Sequence, residues 1–275
     1  MPALVSLIGG FILLIVGGEF LVRGAVRTAE RLGVSPLLIG LTLVGFGTSA
    51  PEMAISVQAA LDGSPGIAIG NFVGSSISNI LLILGAAALL APITISSVAL
   101  SRDGTFVLIT AVLFSAICFL LPYNSYVGWC FIALLATYLT YAWRQERVAT
   151  GEGHTSVYEM AEGFSQMRDA PGRGWMAAKI QRGAIIIMPL LLAFCGLVGI
   201  VLGGKLLVLG AVSIAQDIGI SETVIGLTIV AVGTSMPEFV TSVVAALRGQ
   251  PSVAVGNILG SNIYNILAVG GITAI

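Results

Sequence analysis

The sequence predicts an all-α polytopic membrane protein built from two inverted repeats. Three observations carry that prediction. The chain is 57% hydrophobic and 9% charged, with a mean hydropathy of +1.04, where an ordinary soluble domain has roughly 45–50% and roughly 25%. Its apolar runs are continuous over about 20 residues, the length at which a helix crosses a bilayer. A 51-residue stretch recurs 186 positions later. So few charged side chains cannot cover a soluble surface, so a soluble enzyme, a nucleic-acid binder and a disordered chain are excluded. A transmembrane barrel would show short alternating strands instead.

Eight spans are expected. The first, 3–22, has no basic residue before it and no small-residue cleavage pattern after it, so it reads as a retained helix and not a signal peptide. The second, 35–60, and the seventh, 220–246, are each interrupted by a proline, Pro51 and Pro237. The third, 66–91, and the eighth, 252–275, carry Asn and Ser at four-residue spacing. The fourth, 104–121, the fifth, 124–143, and the sixth, 184–208, hold Cys118, Cys130 and Cys195. These three lack C-x-x-C spacing and read as small buried hydrophobes. Glycine, 35 of 275 residues, suits helices that approach closely or break.

Basic residues set the orientation. Arg23, Arg27 and Arg31 follow span one, and Arg102 follows span three. Arg144, Arg147, Arg168, Arg173, Lys179 and Arg182 follow span five, and Arg248 follows span seven. The alternate loops hold none, and Lys205 lies inside span six. The N-terminus is therefore expected outside and the 144–182 loop in the cytoplasm. That loop reads as a solvated connector, with scattered carboxylates and the only histidine, His154. The domains expected are a first membrane half, 1–143, this loop, and a second membrane half, 183–275.

Residues 35–85 align without a gap to 221–271, with 28 of 51 positions identical. The match reaches back to GGEFLVRGA from Gly17 and GGKLLVLGA from Gly203. Spans one to three thus map onto spans six to eight, a shift of five crossings. An odd shift inverts the second copy in the membrane. Inverted repeats with matching interrupted helices are the architecture of many secondary transporters, with sites near the midplane.

Each copy carries two polar motifs. Gly47-Thr48-Ser49-Ala50-Pro51-Glu52 recurs as Gly233-Thr234-Ser235-Met236-Pro237-Glu238. Proline gives no N–H and crowds the preceding turn, so carbonyls around 45–47 and 231–233 are expected to be free. If the turn stays helical, Thr48 and Ser49 share a face with Glu52. An acidic residue at a span centre costs at least ~2.5–3.5 kcal/mol on insertion scales. Retaining one twice at equivalent positions points to a hard-cation ligand. In the second motif Asn71, Ser75 and Asn79 form one stripe, matched by Asn257, Ser261 and Asn265. Gly70, Gly74, Gly256 and Gly260 beside them fit close helix packing. Carboxylates, hydroxyls, amide oxygens and carbonyls, with no imidazole or thiolate, suit calcium or sodium rather than zinc or copper. Two carboxylates neutralise one divalent cation, and sodium ions or protons can compete for them. Competition for shared carboxylates is a physical basis for exchange. An intramembrane enzyme is set aside, because His154 lies in a loop and Asp62, Asp103, Asp169 and Asp217 lie in loops or at helix ends. Glu19 and Lys205 fall at equivalent positions with opposite charge and read as interfacial residues, not as a mutual ion pair.

These motifs resemble the α-repeats of the calcium:cation antiporter superfamily, and are most similar to its short prokaryotic sodium/calcium exchangers. The resemblance spans essentially the whole chain, with α-repeats at about 35–89 and 221–275. It implies a fold of five plus five helices, about eight of them present here. It also implies alternating-access exchange of calcium for sodium in a prokaryotic inner (plasma) membrane. Carried over by position, the metal ligands fall on Thr48, Ser49, Glu52, Ser75, Asn79, Thr234, Ser235, Glu238, Ser261 and Asn265, with the backbone of Gly45 and Ala231 as weaker candidates. The partners implied are inorganic cations and the lipid bilayer. No resident cofactor, nucleic acid or obligatory protein partner is expected. Some members, potassium-dependent ones among them, carry Asp where this chain has Asn265, which argues against potassium co-transport. The chain stops at Ile275, inside span eight, so counterparts of spans four and five are not in it. Proton-coupled or other divalent exchange, and an inactive truncated member, are the alternatives.

Overall fold

The computed structural model describes residues 2–93, 97–120, 122–149, 175–220 and 231–275. Among these the chain is helical with short connections. The first repeat comprises α1 (Pro2–Leu32), α2 (Pro36–Ile39), α3 (Gly45–Thr48), α4 (Ala50–Leu61), α5 (Pro65–Ser78) and α6 (Gly85–Leu90). Then come α7 (Ser97–Leu120) and α8 (Ser125–Ala149). The second repeat comprises α9 (Trp175–Asp217), α10 (Ala231–Thr234), α11 (Met236–Leu247), α12 (Pro251–Ile263) and α13 (Gly270–Ala274). Wider π-helical turns join α2 to α3 (Gly40–Val44), α5 to α6 (Asn79–Leu84) and α12 to α13 (Tyr264–Val269). Among the described residues six helices are long and apolar enough to cross a membrane, or seven counting the bent pair 36–61 as one. Of the predicted span 220–246, residues 221–230 lie outside the described residues.

Several boundaries differ from the hydropathy reading. Helix α1 has 31 residues, about 46 Å at 1.5 Å per residue, well beyond a hydrocarbon core of about 30 Å. Arg23, Arg27 and Arg31 therefore ride on helix, not in a loop. Hydropathy stops where charge begins, but the backbone bonds continue until Gly33 turns left-handed at φ +64, a conformation that favours glycine and ends helices. Gly219, 186 residues on, ends α9 in the same way at φ +80. Arg102 likewise lies within α7, and the expected 144–182 loop is helical at both ends. His154 lies outside the described residues.

Two glycine seams bring backbones into contact. A Cβ on Gly17 would meet Ile200 N at 2.8 Å, and one on Gly196 would meet Leu21 N at 2.2 Å. Gly10, Gly17 and Gly24 of α1 are the repeat counterparts of Gly196, Gly203 and Gly210 of α9, so equivalent helices cross on equivalent residues. The second seam seats α12 on the first repeat. A Cβ on Gly256 would lie 2.4 Å from Leu37 O, and one on Gly260 would lie 2.3 Å from Leu41 O. Residues 253–271 are all buried. The close packing expected at Gly70 and Gly74 is not seen among the described residues, where nothing lies within 4 Å of a Cβ at either. Gly40 packs on Gly256, and its own counterpart, Gly226, lies outside the described residues.

Two further readings are corrected. Cys118, Cys130 and Cys195 are exposed, not buried, because they lie on the outward apolar faces of α7, α8 and α9. Asp103 is fully buried inside α7. Its charge is met by Arg102 Nε at 2.5 Å and Nη2 at 2.9 Å, and the Tyr138 hydroxyl donates to it at 2.8 Å. Phe106 stacks on Tyr138 with ring centroids 3.8 Å apart, so this polar knot joins α7 to α8.

Candidate functional site

The site begins with the broken helices. Pro51 cannot donate to the carbonyl four residues back, and the helix breaks at Ser49 (φ −79, ψ 0). The segments 36–48 and 50–61 meet at a bend of 44°. Ser235, before Pro237, has φ −89 and ψ 6 at the start of α11. Each break starts a new helix with a glutamate in its first turn, Glu52 in α4 and Glu238 in α11. The positive helix N-terminus favours a carboxylate there.

Both glutamates are fully buried. Ser235 Oγ donates to Glu52 Oε1 at 3.3 Å, and Ser75 Oγ donates to the same oxygen at 3.4 Å. Ser49 Oγ donates to Glu238 Oε1 at 3.3 Å. Each motif serine thus serves the glutamate of the other repeat. Ser49 is expected to share a face with its own Glu52, yet across the 44° bend its hydroxyl bonds to Glu238 of the other repeat. Thr48 Oγ1 donates to Asn257 Oδ1 at 3.0 Å and lies 3.3 Å from Ser261 Oγ.

The two stripes are held symmetrically. Asn71 Nδ2 donates to Ser56 Oγ at 2.9 Å and to the Glu52 carbonyl at 3.2 Å. Asn257 Nδ2 donates to Ser242 Oγ at 2.9 Å and to the Glu238 carbonyl at 3.3 Å. These asparagines tie the stripe helix to the glutamate helix in each repeat. Asn265 Nδ2 donates to Ser75 Oγ, and Asn79 Nδ2 to Asn262 Oδ1, both at 3.3 Å. Asn79 and Asn265 sit in the π-helical turns after α5 and α12, a feature that often marks functional positions.

Four buried oxygens of this cluster have no hydrogen-bond partner among the described residues: Glu52 Oε2, Glu238 Oε2, Asn79 Oδ1 and Asn265 Oδ1. They come from two residue types, each present twice at the repeat offset. A buried polar atom left unpaired costs about 1–3 kcal/mol, and more when charged. Among the described residues no Lys or Arg pairs with either glutamate. Nor does any group of three or more His, Cys, Asp and Glu form there. The arrangement can therefore accept a hard cation on two carboxylates and neutral oxygens.

The structure brings together Thr48, Ser49, Glu52, Ser75, Asn79, Ser235, Glu238, Ser261 and Asn265. Thr234 is half-buried in α10, and Ala231 opens that helix. The Gly45 carbonyl is not free as expected: it accepts from Ser49 N–H at 3.2 Å, since Pro51 withholds a donor from residue 47 and not from residue 45. Ser261 Oγ lies 3.5 Å from that carbonyl. Asn262 was missed. It is buried, occupies the position of Ser76 in the other copy, and orients Asn79. The polar substitution at an otherwise repeated position was the available signal.

Residues 2–145 and 188–275 match the family described as sodium/calcium exchanger protein. The chain is 36% identical to the putative antiporter CaxA of Alkalimonas amylolytica, over 100% of this chain and 81% of that protein. It is also 36% identical to the sodium/calcium exchanger MaX1 of Methanosarcina acetivorans, over 97% of this chain and 81% of that one. The solved sodium/calcium exchanger from Methanococcus jannaschii superposes with a TM-score of 0.79 at 30% identity, covering 99% of this chain and 81% of that chain.

Proposed function

We propose that this chain, which belongs to the sodium/calcium exchanger protein family, exchanges calcium for sodium across the membrane by alternating access. The observation that carries the reading is the four buried oxygens of the cluster, on Glu52, Glu238, Asn79 and Asn265, that have no hydrogen-bond partner among the described residues. On this reading the two carboxylates supply the charge that meets a calcium ion. Thr48, Ser49, Ser75, Asn79, Thr234, Ser235, Ser261 and Asn265 supply neutral oxygens, directly or by orienting the carboxylates.

Exchange follows from sharing. Two buried carboxylates without a counter-cation are costly in a low-dielectric interior. One calcium or a pair of sodium ions meets the same two charges, so release of one ion is favoured when the other replaces it. The glutamate oxygens are held from both repeats by Ser49 and Ser235, so relative movement of the repeats reaches every ligand at once. The orientation that fits the basic residues has the N-terminus outside and 144–182 on the cytoplasmic side of a prokaryotic inner membrane. It joins membrane halves 1–143 and 183–275.

The test is radiolabelled calcium uptake into proteoliposomes loaded with sodium, beside sodium-free and pH-gradient controls. Uptake that requires internal sodium is expected. Uptake that ignores sodium and follows the pH gradient would overturn sodium coupling.

A further inference from the structure

We propose that the face shared by α1 and the end of α11 is a binding site for an anionic phospholipid, with its phosphodiester held by Arg23, Arg27 and Arg248. The three guanidiniums line one cavity of about 280 Å³, together with Glu19, Glu30 and Gln250. This cavity is separate from the buried oxygen cluster.

Glu19 organises it. Its carboxylate pairs with Arg23 Nε one turn on, and with Arg248 Nε at 2.7 Å from the other repeat. Glu19 is 16% exposed, while Arg23 and Arg248 are 54% and 55% exposed. Both arginines meet the Glu19 carboxylate through Nε and stay more than half exposed at the cavity. Guanidinium groups gathered around one carboxylate in a single cavity suit a phosphate, which each can bind through paired N–H donors. Arg27, exposed and one turn beyond Arg23, adds a third guanidinium that has no ion pair among the described residues. Glu30 is the opposing charge on the rim. It favours a headgroup that carries hydroxyls beside its phosphate, as in phosphatidylglycerol, over a bare anion.

The surface leading to the cavity is apolar. Ile12, Val16 and Phe20 of α1 are 57%, 43% and 41% exposed. At 100° per residue these three, with Arg23 and Arg27, fall within one arc of about 80° on the helix. Ile12 lies eleven residues from Arg23, about 16 Å along the axis, a distance an acyl chain covers. A phosphate in the cavity and a chain along the stripe would bridge α1 to α11, which carries Glu238 ten residues before Arg248.

The experiment is native mass spectrometry of the purified full chain, titrated with phosphatidylglycerol and with phosphatidylcholine. Its readout is lipid binding, so it stands apart from the transport reading. Arg27→Gln should raise the phosphatidylglycerol Kd about fivefold and Arg27→Gln/Arg248→Gln about 25-fold, at the usual attraction per basic residue near a lipid surface. Arg144→Gln in α8 should leave it unchanged, phosphatidylcholine should bind at least about tenfold more weakly, and inorganic phosphate should not displace the lipid. The exposed Arg27 makes its variant safe for folding. Unchanged phosphatidylglycerol affinity in Arg27→Gln, equal loss in Arg144→Gln, equal binding of phosphatidylcholine, or displacement by inorganic phosphate would each overturn the proposal.

Discussion

Gly256→Ala should disable the cation cluster without altering any of its ligands. The new Cβ would lie 2.4 Å from Leu37 O, 2.9 Å from Leu41 N and 3.0 Å from Gly40 Cα. All three are backbone atoms, so no rotamer change relieves the contact. Restoring a separation of about 3.5 Å needs a shift of about 1 Å between α12 and α2. Asn257 follows immediately and holds Thr48 Oγ1 at 3.0 Å, and a shift of that size ends the bond. Overpacking costs about 1–3 kcal/mol, and the lost buried hydrogen bond adds about 1 kcal/mol. The thermal unfolding midpoint of the purified protein should fall by several degrees, and calcium affinity should fall with it. Gly66→Ala is the control, because nothing lies within 4 Å of its Cβ among the described residues, and it should melt at or above wild type. Wild-type melting and calcium affinity in Gly256→Ala would show that α12 is not seated on the α2 backbone as argued.

Other perturbations separate ligands from supports. Glu52→Gln and Glu238→Gln should each abolish calcium uptake while the protein still elutes as a folded species in gel filtration, and wild-type flux in either would refute the assigned carboxylates. Asp103→Asn should lower stability by about 3 kcal/mol, since it strips a buried charge from Arg102. It should leave calcium affinity unchanged, because the knot at α7 and α8 lies outside the cluster. Asn71→Ala and Asn257→Ala should each cost about 1–3 kcal/mol in unfolding measurements, because each leaves a buried serine hydroxyl and a glutamate carbonyl without their amide donor.

The residues with unpartnered oxygens were legible in the chain itself. A glutamate inside an apolar run is costly wherever it occurs, and repetition at a fixed offset marks Glu52 with Glu238 and Asn79 with Asn265. The helix breaks were legible too, because Pro51 and Pro237 lack a donor in any environment. Partners across the repeats were not. Local spacing places Ser49 beside its own Glu52, whereas the hydrogen bond runs to Glu238, a choice set by how α4 and α11 pack. The π-helical turns at Asn79 and Asn265 have no periodic signature in an apolar run. Arg23 and Arg27 read as loop residues in the sequence because hydropathy reports where apolar character ends, while helix continuation depends on the next glycine. The tight fit of Gly256 on the backbone of Leu37 and Gly40 is not written in the motif either, because it depends on which backbone α12 meets.

The central claim is that calcium and sodium share one pair of buried carboxylates. The direct measurement is calcium binding to the purified protein by isothermal titration at increasing sodium, with Glu238→Gln alongside. The account predicts an apparent calcium Kd that rises with sodium at unchanged stoichiometry, and no calcium binding in the variant. Calcium affinity indifferent to sodium, or retained in Glu238→Gln, would contradict it.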